Sequence, residues 1–223
     1  MKSLQKIGGL GALLFGVSFV LLIVSNAVIQ PSLGINGPAD GINPAKVLPL
    51  ASTFKILFSI PILFAIGVSL TALALNERLQ ERAPALLRIA TASGLGGAVL
   101  FLGAGMFAFI ALPELASVYS QNSAGVTTAD LALADGVDTG LLTAAIFASG
   151  WWVLLASWAA LQEGLPKILN YLGLLFGAMS ILAFAIPPFS IIGAFVGIVW
   201  AFWLGYVLLT QPATMAAQGK PMK

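Results

Sequence analysis

Apolar and polar positions in this chain come in long blocks, with neither the short alternation of a strand nor the one-sided stripe of a soluble helix. Apolar runs cover residues 7–29, 53–75, 88–112, 139–161, 168–186 and 189–210. A bilayer core about 30 Å thick needs roughly 20 apolar residues at the ~1.5 Å helical rise, so each run has about the length of one crossing. The run 88–112 has no charge after Arg88. Arg78, Arg82 and Arg88 precede it, and the charged residues that follow as far as Asp138 are all acidic: Glu114, Asp130, Asp135 and Asp138. The pattern predicts an all-α polytopic membrane protein, a bundle of six transmembrane helices forming one domain over residues 1–223.

The polar breaks set the connections. Residues 30–52 contain Pro31, Pro38, Pro44, Pro49, Gly34, Gly37 and Gly41, a density that predicts irregular structure folded over one end of the bundle. Pro61 lies inside the second run and predicts a kink. Residues 76–84 form the most charged link, with Arg78 and Glu81 at helical i,i+3 spacing. Residues 113–138 read as a second long loop. Within it, Thr127 and Asp130 resemble a capping box, which predicts one short surface helix. The link 162–167 and the pair Pro187-Pro188 are short enough to require antiparallel returns.

Charge gives the orientation. Lys2, Lys6, Arg78, Arg82, Arg88, Lys167, Lys220 and Lys223 share one side of a six-span chain, leaving Lys46 and Lys55 on the other. The positive-inside rule then places both termini in the cytoplasm and the two long breaks outside. The first run exceeds the 7–15 residues of a signal-peptide core, so a retained span is expected despite Ser25-Asn26-Ala27, which resembles a cleavage site.

Composition agrees. Only 8% of residues are charged and mean hydropathy is +1.01, against about 25% charged in soluble domains. The net charge of +2 sits at membrane boundaries and gives no reason to expect nucleic acid as a partner. With no cysteine and no histidine, disulfides, thiolate or imidazole metal sites and His- or Cys-based catalysis are excluded. No catalytic residue, metal or cofactor is expected. No ionisable group falls at mid-span, which removes the usual machinery of a proton-coupled transporter.

Two features remain as candidate chemistry. Small residues recur at four-residue spacing, as in Gly8, Ala12 and Gly16, in Ser93 and Gly97, in Gly173 and Gly177, and in Gly193, Gly197, Ala201 and Gly205. Such stripes let helix backbones approach, within one bundle or between protomers. Trp158, Trp203 and Tyr206 fit an interfacial belt, whereas Trp151, Trp152 and Trp200 fall near mid-span. Trp151 and Trp200 each count about 16 Å from the outer helix ends at the ~1.5 Å rise. They predict a pocket for a lipid-like ligand with Lys55 near its mouth, or ordinary core packing.

The segments Gly150-Trp-Trp-Val-Leu-Leu-Ala-Ser-Trp-Ala-Ala-Leu161 and Leu165-Pro-Lys-Ile-Leu-Asn-Tyr-Leu-Gly-Leu-Leu-Phe-Gly177 carry a resemblance. So do residues 82–91 and 199–209. The chain resembles small six-helix bacterial membrane proteins catalogued as a domain of unknown function. The resemblance implies a bacterial inner-membrane protein and supplies no functional residues. Two function classes follow from the residues themselves. One is a non-catalytic accessory subunit or scaffold that packs on a membrane partner or a second copy of itself. The other is a binder or carrier of a neutral lipid-like molecule.

Overall fold

A computed structural model of the chain describes residues 2–81, 83–162, 165–186 and 188–211. These residues are predominantly helical, with no strand among them. The principal helices are α1 (Lys2–Val24), α2 (Ala51–Leu57), α3 (Ile60–Leu79), α4 (Pro84–Gln121), α5 (Thr128–Leu161), α6 (Lys167–Leu182) and α7 (Pro188–Thr210). Five helical stretches are long and apolar enough to cross a bilayer: Ser3–Ser32, Pro44–Leu79, Pro84–Gln121, Thr128–Leu161 and Pro188–Thr210. The sixth apolar run forms α6, a shorter helix of 16 residues. Arg82, Pro187 and the tail bearing Lys220 and Lys223 lie outside the described residues.

Each long helix packs against the next in sequence, and α7 returns to α1, so that α1, α3, α4, α5, α6 and α7 form a closed ring. From α3 to α7 the short connections make this the natural arrangement, since a link of a few residues leaves an antiparallel neighbour as the only reachable partner. Ser93 Oγ ties α4 to α5 by donating to the Ala148 carbonyl at 2.8 Å.

The predicted loop at 113–138 is a correction. Helix α4 continues through Pro113 to Gln121, and α5 begins at Thr128, leaving a turn over only six residues, 122–127. The Thr127–Asp130 capping box is present, with the Thr127 N–H donating to Asp130 Oδ2 at 2.8 Å and the Asp130 N–H donating back to Thr127 Oγ1 at 3.3 Å. The helix it starts is the full α5, because no proline interrupts residues 128–161. At 38 and 34 residues, α4 and α5 span about 57 and 51 Å at the ~1.5 Å rise, well beyond the ~30 Å core. Both project past one end of the bundle.

Residues 30–52 fold over that same end as short helical turns, Pro38–Gly41, Pro44–Val47 and Leu48–Leu50. Their Ile35, Val47 and Leu48 form a second apolar cluster with Phe54, Leu112, Val126 and Leu131. The extension of α1 stops at Gly34, in the left-handed region at φ 82°. The Gly34 N–H bonds the Pro31 carbonyl and the Ile35 N–H bonds the Gln30 carbonyl, a Schellman closure that only a residue tolerating positive φ completes without strain. Asp40 clasps the cap by accepting from Lys46 Nζ at 2.6 Å and from the Asn36 N–H at 3.0 Å. The Lys46 hydrogen bond first, then that of Asn36, holds the Asp40 carboxyl below the ordinary carboxylate range.

Candidate functional site

Six aromatic side chains, one from each ring helix, fill the middle of the bundle. They are Phe15, Phe64, Phe101, Trp152, Phe176 and Trp200, all buried. Neighbouring ring centroids lie 5.1–6.4 Å apart: Phe64 to Phe101 5.1 Å, Phe15 to Phe64 5.5 Å, Phe176 to Trp200 5.8 Å, Trp152 to Trp200 6.1 Å and Phe15 to Trp152 6.4 Å. These are the separations at which offset and edge-to-face ring pairs attract. Together they make an aromatic layer across the bundle axis.

The tryptophans predicted to line a pocket are therefore divided. Trp152 and Trp200 meet edge to face inside the layer, whereas Trp151 is 41% exposed and packs on Phe147 at 6.5 Å. Consecutive helical residues point about 100° apart, so Trp151 and Trp152 cannot both face inward. Lys55 is exposed on α2 with its Nζ 4.3 Å from the centroid of the Phe109 ring. Equal depth along two helices does not imply a shared facing: Trp151 is exposed while Trp200 is buried against Trp152, and a cavity forms elsewhere in the bundle.

That cavity, of about 310 Å³, lies at the capped end of the bundle and is lined by none of Trp151, Trp152, Trp200 or Lys55. It forms where helices lose regularity. Helix α1 passes into a π-helical segment, Ser25–Ile29, in which the Gln30 N–H reaches the Ser25 carbonyl. Asn26 Nδ2 donates to the Leu22 carbonyl at 2.8 Å, and Leu22, Ser25, Asn26 and Gln30 all face the cavity. Single π turns of this kind recur at functional sites because they re-aim side chains and loosen the backbone ladder. The next wall is the gap between α2 and α3. Pro61 lies in the first turn of α3, where its missing N–H costs least, and its ring excludes the carbonyl of Leu57 four residues back, where α2 ends. The expected kink falls at the two-residue turn Phe58–Ser59 between α2 and α3, and Phe54, Leu57, Phe58, Ile60 and Pro61 line the cavity. Helix α4 adds Phe107, Ala108, Ala111, Leu112 and Leu115, and α5 adds Leu131, Ala134, Asp135, Asp138 and Leu142.

The walls are mostly apolar, with the polar groups gathered on α1 and α5. No lining residue is Lys or Arg, so the two aspartates, at i,i+3 on one face of α5, give this end a negative sign. Asp138 Oδ1 is buried and has no hydrogen-bond partner. Among the described residues no three His, Cys, Asp or Glu side chains gather in a way that would hold a metal ion.

No family model, curated protein or solved structure matches this chain. The arrangement of its own residues is what speaks for its function.

The glycines singled out by spacing face neighbouring helices of the same chain. A methyl group built on Gly97 would lie 2.5 Å from Ser149 Oγ, on Gly177 2.7 Å from the Gly150 carbonyl, on Gly197 2.8 Å from the Phe176 ring, and on Gly205 2.7 Å from Leu13. Gly173 sits against Ser157 and the Trp200 indole nitrogen. Gly193 is looser, with Met179 Cβ at 3.4 Å. The loop expected over residues 113–138 leaves Asp138 off the sequence-derived set of site residues. The signal that places it was nonetheless present: a capping box at Thr127 followed by an unbroken helical stretch carries Asp135 and Asp138 onto one face of a helix.

Proposed function

We propose that this chain is a six-span bacterial inner-membrane protein, both termini cytoplasmic, that binds a small amphiphilic molecule in the cavity at its outer end. The supporting observation is the cavity itself. A π segment, a helix break and two overlong helices converge on one mostly apolar space of about 310 Å³, within the range of small-molecule sites. Interrupted helices around a polar patch are how membrane proteins commonly build ligand sites, because backbone irregularity is tolerated where it lines a cavity. α6 counts as the sixth span: its 16 residues reach about 24 Å, and apolar residues up to Ile186 extend it toward the ~30 Å core. The glycine contacts run between helices of one chain, which supports a ligand site ahead of a scaffold that docks partners through those stripes.

Native mass spectrometry of the purified protein tests the reading. Wild type should retain a lipid-like adduct, and Ala111→Trp, which places an indole in the cavity, should lose it without a lower melting temperature. Equal adduct on both proteins would refute ligand binding here. Orientation is open to cysteine labelling, since the chain has no native cysteine. Cysteines at Ala39 and Ser123 should react with an impermeant thiol reagent in intact cells, and one at Gln80 should stay silent; the opposite pattern inverts the topology.

A further inference from the structure

The cavity has a polar end whose chemistry narrows the ligand, an inference that rests on the cavity being a binding site. We propose that it takes an amphiphilic organic cation, an amine with an apolar body, and that Asp138 is the counter-ion for the ammonium group.

Asp138 is half-buried, and its Oδ1 is screened from solvent yet accepts no hydrogen bond, which leaves one carboxylate oxygen without a partner where it faces the cavity. Asp135 lines the same cavity one helical turn earlier, so an incoming group meets two acidic side chains. Nothing basic on the walls answers them. Of the lysines on neighbouring elements, Lys46 is paired with Asp40 at 2.6 Å and Lys55 lies over the Phe109 ring. The field therefore favours a cation over an anion, and a charged donor over a neutral one.

The remaining walls separate an organic cation from an inorganic one. A hard metal ion wants about six oxygen ligands, and no group of three candidate side chains exists among the described residues. The space is instead bounded by Phe54, Phe58 and Phe107, with aliphatic side chains between them. Phenyl faces attract ammonium groups and also accommodate an apolar tail, so one ligand satisfies both kinds of wall. Asn26, bonded through its amide nitrogen to the Leu22 carbonyl at 2.8 Å, accepts at Oδ1 from Gln30 Nε2 at 3.3 Å, so both amides stand on the polar side of the cavity.

The test compares three small probes on the full chain in detergent by equilibrium dialysis: 4-phenylbutylamine, the neutral 4-phenylbutanol and the anion 4-phenylbutyrate. Wild type should bind the amine at least about tenfold more tightly than the alcohol, the scale of one charge-assisted hydrogen bond, and should not bind the acid. Asp138→Asn should remove that preference while leaving alcohol affinity within about twofold, because the apolar contacts are unchanged. The wild-type comparison needs no variant, so the cation preference stays testable if Asp138→Asn does not fold. Amine and alcohol binding equally would overturn the cation assignment while leaving the cavity a binding site. An amine preference that survives Asp138→Asn overturns Asp138 as the counter-ion. Failure of all three probes to bind counts against the cavity as a site, and the cation assignment falls with it.

Discussion

Replacing Trp152 with alanine should be the most damaging single change in the bundle, lowering stability by about 3–5 kcal/mol, the range for a large buried aromatic truncated to alanine. Trp152 is 1% exposed and lies between Phe15 and Trp200, with its indole against Gly94 of α4. Lipid is as apolar as the side chain, so transfer from water contributes little here. What is lost is dispersion contact on every side, and a void remains that the other five rings of the layer cannot close. Trp151→Ala is the internal control. Its side chain is 41% exposed and packs mainly on Phe147, so it should cost a small fraction as much. Unfolding in a detergent titration reads both variants. Similar midpoints for the two would show that the layer is not what holds the helices together.

The second large effect needs only one carbon. Gly177→Ala places a methyl group 2.7 Å from the Gly150 carbonyl oxygen and 2.8 Å from the Leu154 nitrogen, both backbone atoms of α5. No rotamer change relieves a collision with backbone, so α6 must move away from α5, at a cost of about 1–3 kcal/mol for overpacking. That outweighs the ~1 kcal/mol that alanine gains over glycine in helix propensity. At Gly193 the sign reverses. The nearest atom to the added methyl is Met179 Cβ at 3.4 Å, an ordinary contact, and the propensity gain should leave Gly193→Ala neutral or slightly more stable. The two variants share one chemistry and differ only in what the methyl meets. If both melt like wild type, the α5–α6 approach is looser than its geometry indicates.

The hydrophobic blocks made the helical crossings legible, because bilayer thickness fixes how long an apolar run must be. Facing was harder. Trp151 and Trp152 are adjacent in sequence and equally apolar, and the uniformly apolar spans give no stripe that says which one points inward; only the neighbouring helices decide. Composition makes the breaks look like loops, yet the same residues hold contrary signals. Pro113 lies inside α4, where it removes only one backbone donor, and the helix runs on past it. The Thr127 capping box announced a helix, and no breaker limited its length. The cavity was the least legible part. It depends on a π segment at Ser25–Ile29 and on where α2 stops, local backbone events with no fixed sequence signature, and on Asp138 reaching a space that five separate segments enclose.

The closed ring of helices also bears on how the chain assembles. Every neighbouring pair but one joins helices consecutive in the chain, so each can dock as it follows its predecessor. The exception is the seam between α1 and α7, where Gly9 faces Leu209, Gly16 faces Phe202 and Gly205 faces Leu13. This contact has the greatest sequence separation in the bundle and carries the largest closure entropy. Until α7 arrives, the glycine-bearing face of α1 is left to lipid and the aromatic layer lacks Trp200. Helix α7 therefore serves as the clasp of the ring, and the bundle closes only when its two helices most distant in sequence meet.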